Sequence, residues 1–426
     1  MDNKLSDRSL HRLGVICGLA AGAWLGGAEA PTKLVTVGFS PFLISLGMVA
    51  GVFVARWTVP MALKGAGYIW DDLRERPHLA IWAILAGMLW AVANTLTVFA
   101  IRNVGLSIAF PLWNSNSLVG VLWGWLLFGE LRGGGARAWG KVLGGAFCMA
   151  VGACVLAYAT SQNASASASG AATLGILAAL GAGALWGTMY IPYRKAYLSG
   201  MNPLSFVTVF TFGELGTTFV MALLYNGGWN GLTTDLGRAR PALFWLFLGG
   251  FCWVIGDLFQ QYAAKYIGIS RGIPLSNTNQ LWGLAWGALV FGEFSGMAGT
   301  TRLLVIGGSL AMIAGAAAIA SAEAPESEQD SWGRAVDREC TRYGLKRDEV
   351  AAILRGEDPG SRVKRGRGWW VWAIGLAAIG IFIWLGSGAE RQPIAANPYW
   401  MMVLIAASLA VLVVAGVRLW RRTRFS

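Results

Sequence analysis

The stretch PLWNSNSLVGVLWGWLLFGE, residues 111–130, recurs as PLSNTNQLWGLAWGALVFGE at residues 274–293. The two stretches align without a gap at an offset of 163 residues, and a match at a fixed offset indicates an internal duplication. The same offset matches residues upstream of each stretch: Trp90 with Trp253, Asn94 with Asp257, Gly105 with Gly268 and Ser107 with Ser270.

Each copy is an apolar run of transmembrane length that contains a proline and two asparagines. We count five membrane helices in each half of the chain, and an odd number inserts the second half upside down relative to the first. Inverted repeats whose interrupted helices meet near the middle of the bilayer are typical of secondary transporters. The duplication therefore predicts an all-α polytopic membrane protein with a ten-helix 5+5 inverted-repeat transporter core.

The composition fits a membrane protein and excludes an ordinary soluble domain. Of the 426 residues, 55% are hydrophobic and only 13% are charged, whereas soluble domains carry about twice that share of charged residues. The formal net charge of +12 comes from Lys and Arg at helix ends and in the C-terminal third, where topology and anionic lipid explain it. We therefore expect a lipid bilayer as surroundings and no nucleic-acid partner.

The ten core helices are each expected to be close to the ~20 residues that cross a hydrocarbon core. They are predicted at about 12–30, 39–63, 79–101, 104–128, 140–160, 172–191, 203–225, 242–263, 267–291 and 302–320. Two more apolar segments, 369–385 and 399–417, add two C-terminal transmembrane helices. The first segment resembles a signal-peptide core, but glycines at every fourth position favour a retained, tightly packed helix: Gly14, Gly18, Gly22 and Gly26.

The expected organisation has five parts. They are the first five-helix repeat at 1–160, a polar linker at 161–171, the second five-helix repeat at 172–322, a cytoplasmic basic helical segment at 323–368, and two extra helices with a basic tail at 369–426. The hydrophilic segment has the pattern of two short amphipathic helices, with Gly344 as a C-cap and Pro359 as a stop. Its run RVKRGRG is typical of a topology or lipid-surface signal.

The distribution of basic residues predicts the orientation. Lys and Arg are dense before the first helix and in the loops on the same side, which the positive-inside rule assigns to the cytoplasm. We therefore expect a multi-pass protein of the cytoplasmic cell membrane with both termini in the cytoplasm.

Two prolines at equivalent repeat positions, Pro111 and Pro274, predict helix breaks. A proline inside a helix frees the carbonyl group four residues earlier, here that of Ser107 or Ser270. In hydrocarbon this carbonyl needs another partner. Their recurrence favours a functional break over an ordinary kink.

Four asparagines lie beside these prolines. At helical spacing, Asn114 and Asn277 fall on one face of their helices, and Asn116 and Asn279 fall on nearly the opposite face. We expect one pair to face a cavity and the other to bond a neighbouring helix. The alternative is that all four only join helices.

Aromatic residues deep in the apolar runs complete the expected site. Trp113, Trp186 and Tyr190 can offer flat faces against which a ligand stacks. Ring faces and neutral amides with few charges suit an uncharged polyhydroxylated solute better than an anion. The side chains expected to bind substrate are Asn94, Trp113, Asn114, Asn116, Trp186, Tyr190, Gln261, Asn277, Asn279 and Gln280.

Charged residues inside the apolar runs are candidates for proton coupling, because an ionisable group in a membrane helix is costly. Asp257 is the favoured proton site, and an ion pair with Arg271 is the alternative. Glu214 is a second, weaker proton candidate. We expect Arg56 to extend its side chain to the cytoplasmic interface. Glu130 and its repeat partner Glu293 are expected to serve in gating or helix packing.

Enzymatic chemistry is not expected. The only histidines, His11 and His78, lie outside the apolar runs, and neither HExxH nor GxSxG occurs. The five cysteines lack the spacing of a zinc site or a disulfide framework. We expect no cofactor and no metal. The sequence contains no phosphate-binding loop, so we expect transport to be driven by gradients rather than by ATP.

The segments GMLWAVANTLTVFAIRNVGLSIAFPLWNSNSLVGVLWGWLLFGE and GGFCWVIGDLFQQYAAKYIGISRGIPLSNTNQLWGLAWGALVFGE resemble the paired motifs of the drug/metabolite transporter superfamily, and within it those of the glucose/ribose uptake branch. The resemblance covers about residues 13–320. It implies a ten-helix inverted-repeat fold, a central cavity and proton-linked sugar uptake. It also extends the binding-site expectation to the matched positions Asn94, Asn114, Asn116, Asp257, Asn277, Asn279 and Gln280.

The sequence thus predicts a secondary active transporter that imports a monosaccharide together with a proton. One alternative is an exporter of amino acids or other small metabolites, which fold resemblance alone does not exclude. Another is a membrane scaffold whose C-terminal segment recruits a protein partner, since residues after Ala320 depart from the family pattern.

Overall fold

A computed structural model describes residues 2–65, 67–131, 133–163, 169–322, 326–355, 357 and 368–425. This part of the chain is helical throughout and contains no strand. Ten of its helices are long and apolar enough to cross a membrane. The expectation of an all-helical polytopic membrane protein is confirmed.

The described residues of the first half form seven helices. Their bounds are α1 Asp2–Ala28, α2 Pro41–Lys64, α3 Gly67–Glu75, α4 His78–Val104, α5 Leu106–Trp113, α6 Asn116–Phe128 and α7 Ala136–Asn163. A 3₁₀ segment, Ala30–Val37, follows α1.

The second half matches this pattern up to residue 320. Its helices are α8 Ser169–Leu198, α9 Pro203–Tyr225, α10 Trp229–Ile267, α11 Ile269–Ser276, α12 Asn279–Ala285 and α13 Gly299–Ala320, with a π-helical turn at Trp286–Val290. The remaining helices are α14 Glu326–Tyr343, α15 Arg347–Leu354, α16 Trp369–Ser387 and α17 Pro398–Thr423.

The duplicated stretch folds in both halves as a helix broken in two, α5–α6 and α11–α12. Each begins after a glycine in the same unusual conformation: Gly105 has φ 79° and ψ 166°, and Gly268 has φ 81° and ψ 166°. The end of each broken helix lies against the start of the other, because the Glu130 carboxylate reaches the α11 amides and that of Glu293 reaches the α5 amides. The two broken helices therefore run antiparallel across the centre of the protein.

The breaks lie a little after the prolines that were expected to cause them. Pro111 and Pro274 sit inside α5 and α11, and the helix is interrupted three residues later at Asn114 and Asn277. The two asparagine side chains bond across to the other repeat, and this replaces the regular helical path. In each repeat the proline therefore lies in the last turn of the first half-helix, and the asparagine lies at the interruption itself.

The glycine row of α1 packs directly on the second broken helix. A Cβ atom at Gly14 would lie 2.8 Å from Ile267, one at Gly18 2.9 Å from Leu275, and one at Gly22 2.9 Å from the Ser276 carbonyl oxygen. The backbones approach this closely because no side chain intervenes. The expectation of a packed membrane helix for this segment is confirmed.

The C-terminal part folds against the transporter core. The predicted pair of short helices is present as α14 and α15, and Gly344 ends the first of them with φ 66°. Helices α16 and α17 present mostly apolar surface to the surroundings. The RVKRGRG run up to residue 367, Pro359 and residues 164–168 of the expected linker lie outside the described residues.

Candidate functional site

A polar cavity lies where the two broken helices cross. It is lined by Leu25, Glu29, Trp90, Phe110, Trp113, Asn114, Asn116, Trp186, Met189, Tyr190, Trp253, Gln260, Asn277 and Asn279. Seven of the ten side chains expected to bind substrate are in this set: Trp113, Asn114, Asn116, Trp186, Tyr190, Asn277 and Asn279. The cavity therefore brings together residues that lie far apart in the sequence and come from both repeats.

The four asparagines form two hydrogen bonds that are equivalent under the repeat. Asn114 Nδ2 donates to Asn279 Oδ1 at 2.7 Å, and Asn277 Nδ2 donates to Asn116 Oδ1 at 2.6 Å. Each bond thus joins an asparagine from one helix face to an asparagine from the opposite face of the other repeat's helix. All four side chains line the cavity. The structure does not divide them into a cavity pair and a helix-joining pair, because each does both.

Indole rings form the walls next to these amides. Trp90 and its repeat counterpart Trp253 meet edge to face with ring centroids 5.0 Å apart. Trp113 and Trp186 pack in the same way at 5.9 Å. The indole nitrogens of Trp90 and Trp186 have no hydrogen-bond partner among the described residues. These rings offer both flat apolar faces and free donors to a ligand.

Glu29 is a carboxylate in this cavity that the sequence analysis missed. It follows the last residue of α1, it is 3% exposed, and it lines the cavity together with Trp253. Its Oε2 atom has no hydrogen-bond partner in the described part of the chain. Glu29 is matched by Pro192 at the repeat offset, so the duplication gave no signal for it.

Asp257 and Glu214 meet at Arg56, outside the cavity lining. Arg56 Nη2 donates to Asp257 Oδ2 at 2.8 Å, and Nη1 donates to Glu214 Oε2 at 3.3 Å. The guanidinium group also lies 5.6 Å from the centroid of the Trp253 ring. The prediction that Arg56 extends to the interface is wrong, because its side chain is fully buried in this ion pair. Two buried carboxyl groups hold it there, and the partner of Asp257 is Arg56 rather than Arg271.

Three expected substrate ligands lie behind the cavity wall. Asn94 donates to Ser45 Oγ at 2.8 Å, and Gln261 bridges Asp257 Oδ1 and the Tyr197 hydroxyl at 2.7 and 2.6 Å. Gln280 is buried, and neither polar atom of its amide has a partner among the described residues. The neighbouring Gln260, which does line the cavity, bonds Ser276 Oγ at 2.7 Å.

An acidic residue closes each end of the crossing. Glu293 Oε1 and Oε2 accept from the Leu106 and Ser107 amides at 3.0 and 2.9 Å, and Lys33 pairs with this carboxylate at 2.5 Å.

Glu130 does the same at the opposite end. Its Oε2 accepts from the Ser270 amide at 2.9 Å, and its Oε1 lies 3.2 Å from Arg194 Nε. A carboxylate at a helix N-terminus binds unpaired amides and the positive end of the helix dipole. The pairs Glu130–Arg194 and Glu293–Lys33 are called the Glu130 lock and the Glu293 lock below, and they lie at opposite ends of the crossing helices.

The cavity is narrow in this conformation. It encloses about 30 Å³, which is room for one or two water molecules, and is too small for a monosaccharide. The asparagine amides use each other as hydrogen-bond partners. This conformation therefore leaves no room for a sugar, and the asparagine amides of the wall are paired with one another.

Parts of the sequence are similar to a known protein family and to known proteins. Residues 173–319 match the model of the EamA-like transporter family. A protein from Lactobacillus johnsonii named "Putative sugar uptake protein" is 45% identical over 62 residues, which cover 13% of this chain and 22% of that protein. A protein of the same kind of name from Streptococcus pyogenes serotype M1 is 41% identical over 80 residues, 17% of this chain and 26% of that protein. The matched segments thus span about a quarter of the length of these relatives.

One solved crystal structure aligns with 70% of this chain and 95% of its own, at a TM-score of 0.41 and 16% identity. The ten long apolar helices of the described residues define the class of the protein: it is a multi-pass membrane protein. Within that class, residues 173–319 form an EamA-like domain of the drug/metabolite transporter superfamily. The resemblance seen in the sequence is confirmed at this level.

Proposed function

We propose that this transporter imports a monosaccharide across the cytoplasmic membrane together with a proton. The observation that carries the proposal is the cavity between the repeats, whose wall combines five carboxamides with four indole rings. Sugar hydroxyl groups both donate and accept hydrogen bonds, as carboxamides do. The apolar faces of a sugar ring pack on aromatic rings.

The asparagine pairs provide a way to exchange protein bonds for substrate bonds. When the cavity widens, Asn114 and Asn279 separate, and each amide is left with an unused donor or acceptor. A buried unpaired amide is costly, so a polyhydroxylated ligand that satisfies both sides stabilises the open form. The same holds for the Asn116–Asn277 pair, which doubles the number of positions where hydroxyl groups are recognised.

The antiparallel repeats support alternating access. The Glu130 lock and the Glu293 lock lie at opposite ends of the crossing helices, so opening one while the other stays closed exposes the cavity to one side only. We place the Glu130 end in the cytoplasm, because Arg74, Arg76 and Lys141 cluster on that side of the sequence-based topology.

Proton coupling is supported by a cluster in which two buried carboxyl groups share one buried cation. Arg56 faces both Asp257 and Glu214, so one proton on either carboxyl would leave the cluster neutral. Taking an unbalanced charge into the bilayer interior is costly. Asp257 and Glu214 therefore stay proposed proton sites, and the amides and rings of the cavity stay proposed substrate ligands.

The test is transport by the purified full-length protein in proteoliposomes. Uptake of labelled D-glucose, D-ribose and L-rhamnose, and of a set of amino acids, is measured under pH gradients of both signs. We expect accumulation of at least one sugar when the proton gradient points inward, and loss of that accumulation when a protonophore is added. Efflux of amino acids against a gradient, with no sugar uptake, would instead establish the exporter.

The site is tested with the substitution Asn114→Ala, and Asn226→Ala is its matched control. Asn114 lines the cavity, whereas Asn226 lies at the end of α9 and bonds only its own helix, at the Ala222 carbonyl group. We expect the first substitution to raise the apparent KM for sugar at least tenfold and the second to leave it within twofold. Equal values for both variants would contradict the assignment of the cavity as the sugar site.

A further inference from the structure

Glu29 is a buried acid whose unpartnered carboxylate oxygen lies in the cavity wall. Its Oε2 atom has no hydrogen-bond partner among the described residues. Glu214 Oε1 is also unpartnered, but Glu214 pairs with Arg56 and does not line the cavity. The side chain is 3% exposed. A buried carboxylate with half of its acceptor capacity unused is unfavourable, so its position needs a compensating role.

Asp257 is held quite differently. Both of its oxygens are engaged, Oδ2 by Arg56 at 2.8 Å and Oδ1 by Gln261 at 2.7 Å. It does not line the cavity. A proton or a ligand reaches Asp257 only after one of these bonds breaks, whereas Glu29 meets either one directly.

The chain path at Glu29 keeps the carboxylate in place. The α-helical path ends at Ala28, and the chain tightens into the 3₁₀ segment that begins at Ala30, where Thr32 Oγ1 bonds the Glu29 carbonyl group at 2.5 Å. The preceding Gly26 and Gly27 lie against Trp282 and Trp286 of the second broken helix. The position of Glu29 is therefore tied to the part of the protein that has to move when the cavity opens.

We propose that Glu29 is the carboxyl group that faces the transported sugar and carries the coupled proton, and that Asp257 and Glu214 serve to hold Arg56. This inference rests on the sugar and proton uptake proposed above, but it replaces Asp257 and Glu214 by Glu29 as the proton site. In the unprotonated form, Glu29 accepts hydrogen bonds from sugar hydroxyl groups. In the protonated form, it is neutral and donates one, so that sugar and proton cross the bilayer without a net charge on this residue.

The charged and titratable groups around Glu29 allow this role. From α8, Tyr190 lines the same cavity. From α10, Trp253 separates Glu29 from Arg56, Asp257 and Glu214, with the guanidinium group 5.6 Å from the indole centroid. From its own segment, Lys33 pairs with Glu293 instead. No ion pair links Glu29 to a basic residue among the described side chains, so its charge is free to change.

Trp253 gives the proton a route to the rest of the protein. It lines the cavity together with Glu29, and its ring faces Arg56. Protonation of Glu29 removes a negative charge from the cavity wall, which lets the indole move relative to the guanidinium group. The ring also packs on Trp90 at the centre of the repeat, so a shift of Trp253 reaches both halves.

The experiment compares three full-length variants in proteoliposomes: Glu29→Gln, Asp257→Asn and, as a matched carboxyl-to-amide control, Glu349→Gln on the exposed surface of α15. Two quantities are measured with labelled D-glucose, D-ribose and L-rhamnose. One is accumulation driven by an inward proton gradient, and the other is exchange of internal and external sugar without any gradient. Circular dichroism and thermal unfolding identify variants that fail to fold.

We expect Glu29→Gln to retain exchange but to lose accumulation, so that the ratio of internal to external sugar falls to about one. Glu29→Asp, which keeps a carboxyl group, should restore part of the accumulation. Glu349→Gln should match the unaltered protein. A Glu29→Gln variant that still accumulates sugar would overturn the inference, and loss of accumulation with retained exchange only in Asp257→Asn would move the proton site to Asp257.

A second measurement is independent of the sugar. Infrared spectra of the purified protein are recorded through a pH titration, and the signal of protonated carboxyl groups is compared between the unaltered protein and Glu29→Gln. We expect one titrating component to disappear in the variant. If no sugar is exchanged by the unaltered protein, the proposed function fails, whereas an unchanged infrared titration shows that Glu29 carries no exchangeable proton.

Discussion

Glu130 and Glu293, 163 residues apart at equivalent repeat positions, each bind the first amide groups of the other repeat's broken helix. Both follow a glycine that ends the preceding helix in a left-handed conformation, Gly129 at φ 69° and Gly292 at φ 64°. The shared FGE sequence is thus a helix stop followed by a cap for a different helix. Because each half completes the other, neither broken helix is fully satisfied inside its own repeat.

The first prediction concerns this exchange of caps. Replacing Glu130 by Ala leaves the Ser270 amide and Arg194 without their carboxylate, and replacing Glu293 by Ala does the same to Ser107 and Lys33. We expect each substitution to lower the free energy of unfolding by about 1–3 kcal/mol. We further expect them to open opposite ends of the protein.

The direction of opening can be measured with a cysteine placed at Met189 in the cavity wall. Membrane-impermeant maleimide is added from either side of oriented vesicles. Glu130→Ala should speed labelling from the Glu130 end, and Glu293→Ala should speed it from the other end. If both variants speed labelling from the same side, the two acids do not act as separate locks.

The duplication explains how much of this could be seen in advance. A gap-free match with a proline and two asparagines in each copy predicted two central, interrupted, antiparallel helices. One asparagine pair was expected to face a cavity, and all four asparagines line it. Such features repeat in the sequence because the repeat symmetry uses them twice.

Contacts that the symmetry does not use twice were missed. Glu29 corresponds to Pro192 at the repeat offset and stands beside Pro31 at the end of an apolar run, where the sequence resembles an ordinary helix end. Arg56 meets Asp257 across 201 residues, and no local spacing encodes that approach. Burial of Arg56 depends on two carboxyl groups from other helices, so the sequence of its own helix could not indicate it.

The second prediction is a coupling energy between Asn114 and Asn279. Their side chains form a direct hydrogen bond at 2.7 Å, in which Asn114 is buried and Asn279 is half-buried. Interhelical hydrogen bonds in membrane proteins contribute about 0.6 kcal/mol on average and up to about 1.7 kcal/mol. We expect a double-mutant cycle with Asn114→Ala and Asn279→Ala to give a coupling energy in this range, measured by unfolding in mixed detergent and SDS micelles.

The repeat supplies a matched cycle for the same measurement. Asn116→Ala and Asn277→Ala remove the equivalent bond at 2.6 Å, so their coupling energy should agree with the first within about 0.5 kcal/mol. A control cycle of Asn114→Ala with Asn226→Ala joins residues without a shared bond and should give no coupling. Coupling as large in the control would show that the energies do not report these hydrogen bonds.

The third prediction contrasts two glycines. A Cβ atom at Gly22 of α1 would clash with Thr278 Oγ1 and lie 2.9 Å from the Ser276 carbonyl oxygen, whereas one at Gly144 of α7 would meet nothing within 4 Å. Gly22→Ala should therefore cost about 1–3 kcal/mol. Gly144→Ala should stabilise by up to about 1 kcal/mol, since alanine is the better helix former. Thermal unfolding of the two variants measures both, and a stabilising Gly22→Ala would disprove the close packing of α1.

The fourth prediction concerns Asp72, which lies in α3 outside the membrane-spanning helices. Its Oδ2 accepts from the Ser205 hydroxyl and the Asn202 amide at 2.5 and 3.2 Å, and Arg76 lies 3.0 Å from Oδ1. Burial nevertheless raises the pKa of Asp72 from 3.8 to about 6, against the lowering effect of these bonds.

The raised pKa sets the sign of the pH dependence. Between pH 3.8 and 6 the folded protein holds a proton on Asp72 that the unfolded chain has released, so the contribution of this group to the free energy of unfolding falls as the pH rises through this window. The slope is at most about 1.4 kcal/mol per pH unit. We expect Asp72→Asn to remove this fall, measured as Tm from pH 4 to 7. Parallel Tm profiles for the variant and the unaltered protein would contradict it.

The fifth prediction concerns the contact between the C-terminal segment and the Glu130 lock. The Arg194 guanidinium group, which pairs with Glu130, lies 3.9 Å from the centroid of the Trp332 ring of α14. Nearby, Tyr343 stacks on His78 with ring centroids 3.5 Å apart. The first contact holds Arg194 in its locked position from outside, and the second only fastens α14 to the core.

Substitutions at these two contacts should therefore differ in effect. Trp332→Ala removes the support of Arg194 and should speed maleimide labelling of the Met189→Cys cavity site from the Glu130 end. Tyr343→Ala removes aromatic packing of similar size at the edge of the same segment and should leave labelling within about twofold, because Arg194 and Glu130 are untouched. A cation–π contact contributes about 0.5–2 kcal/mol. We expect the difference between the two variants because only Trp332→Ala removes such a contact from Arg194. Equal labelling rates in both variants would show that α14 docks on the transporter without controlling it.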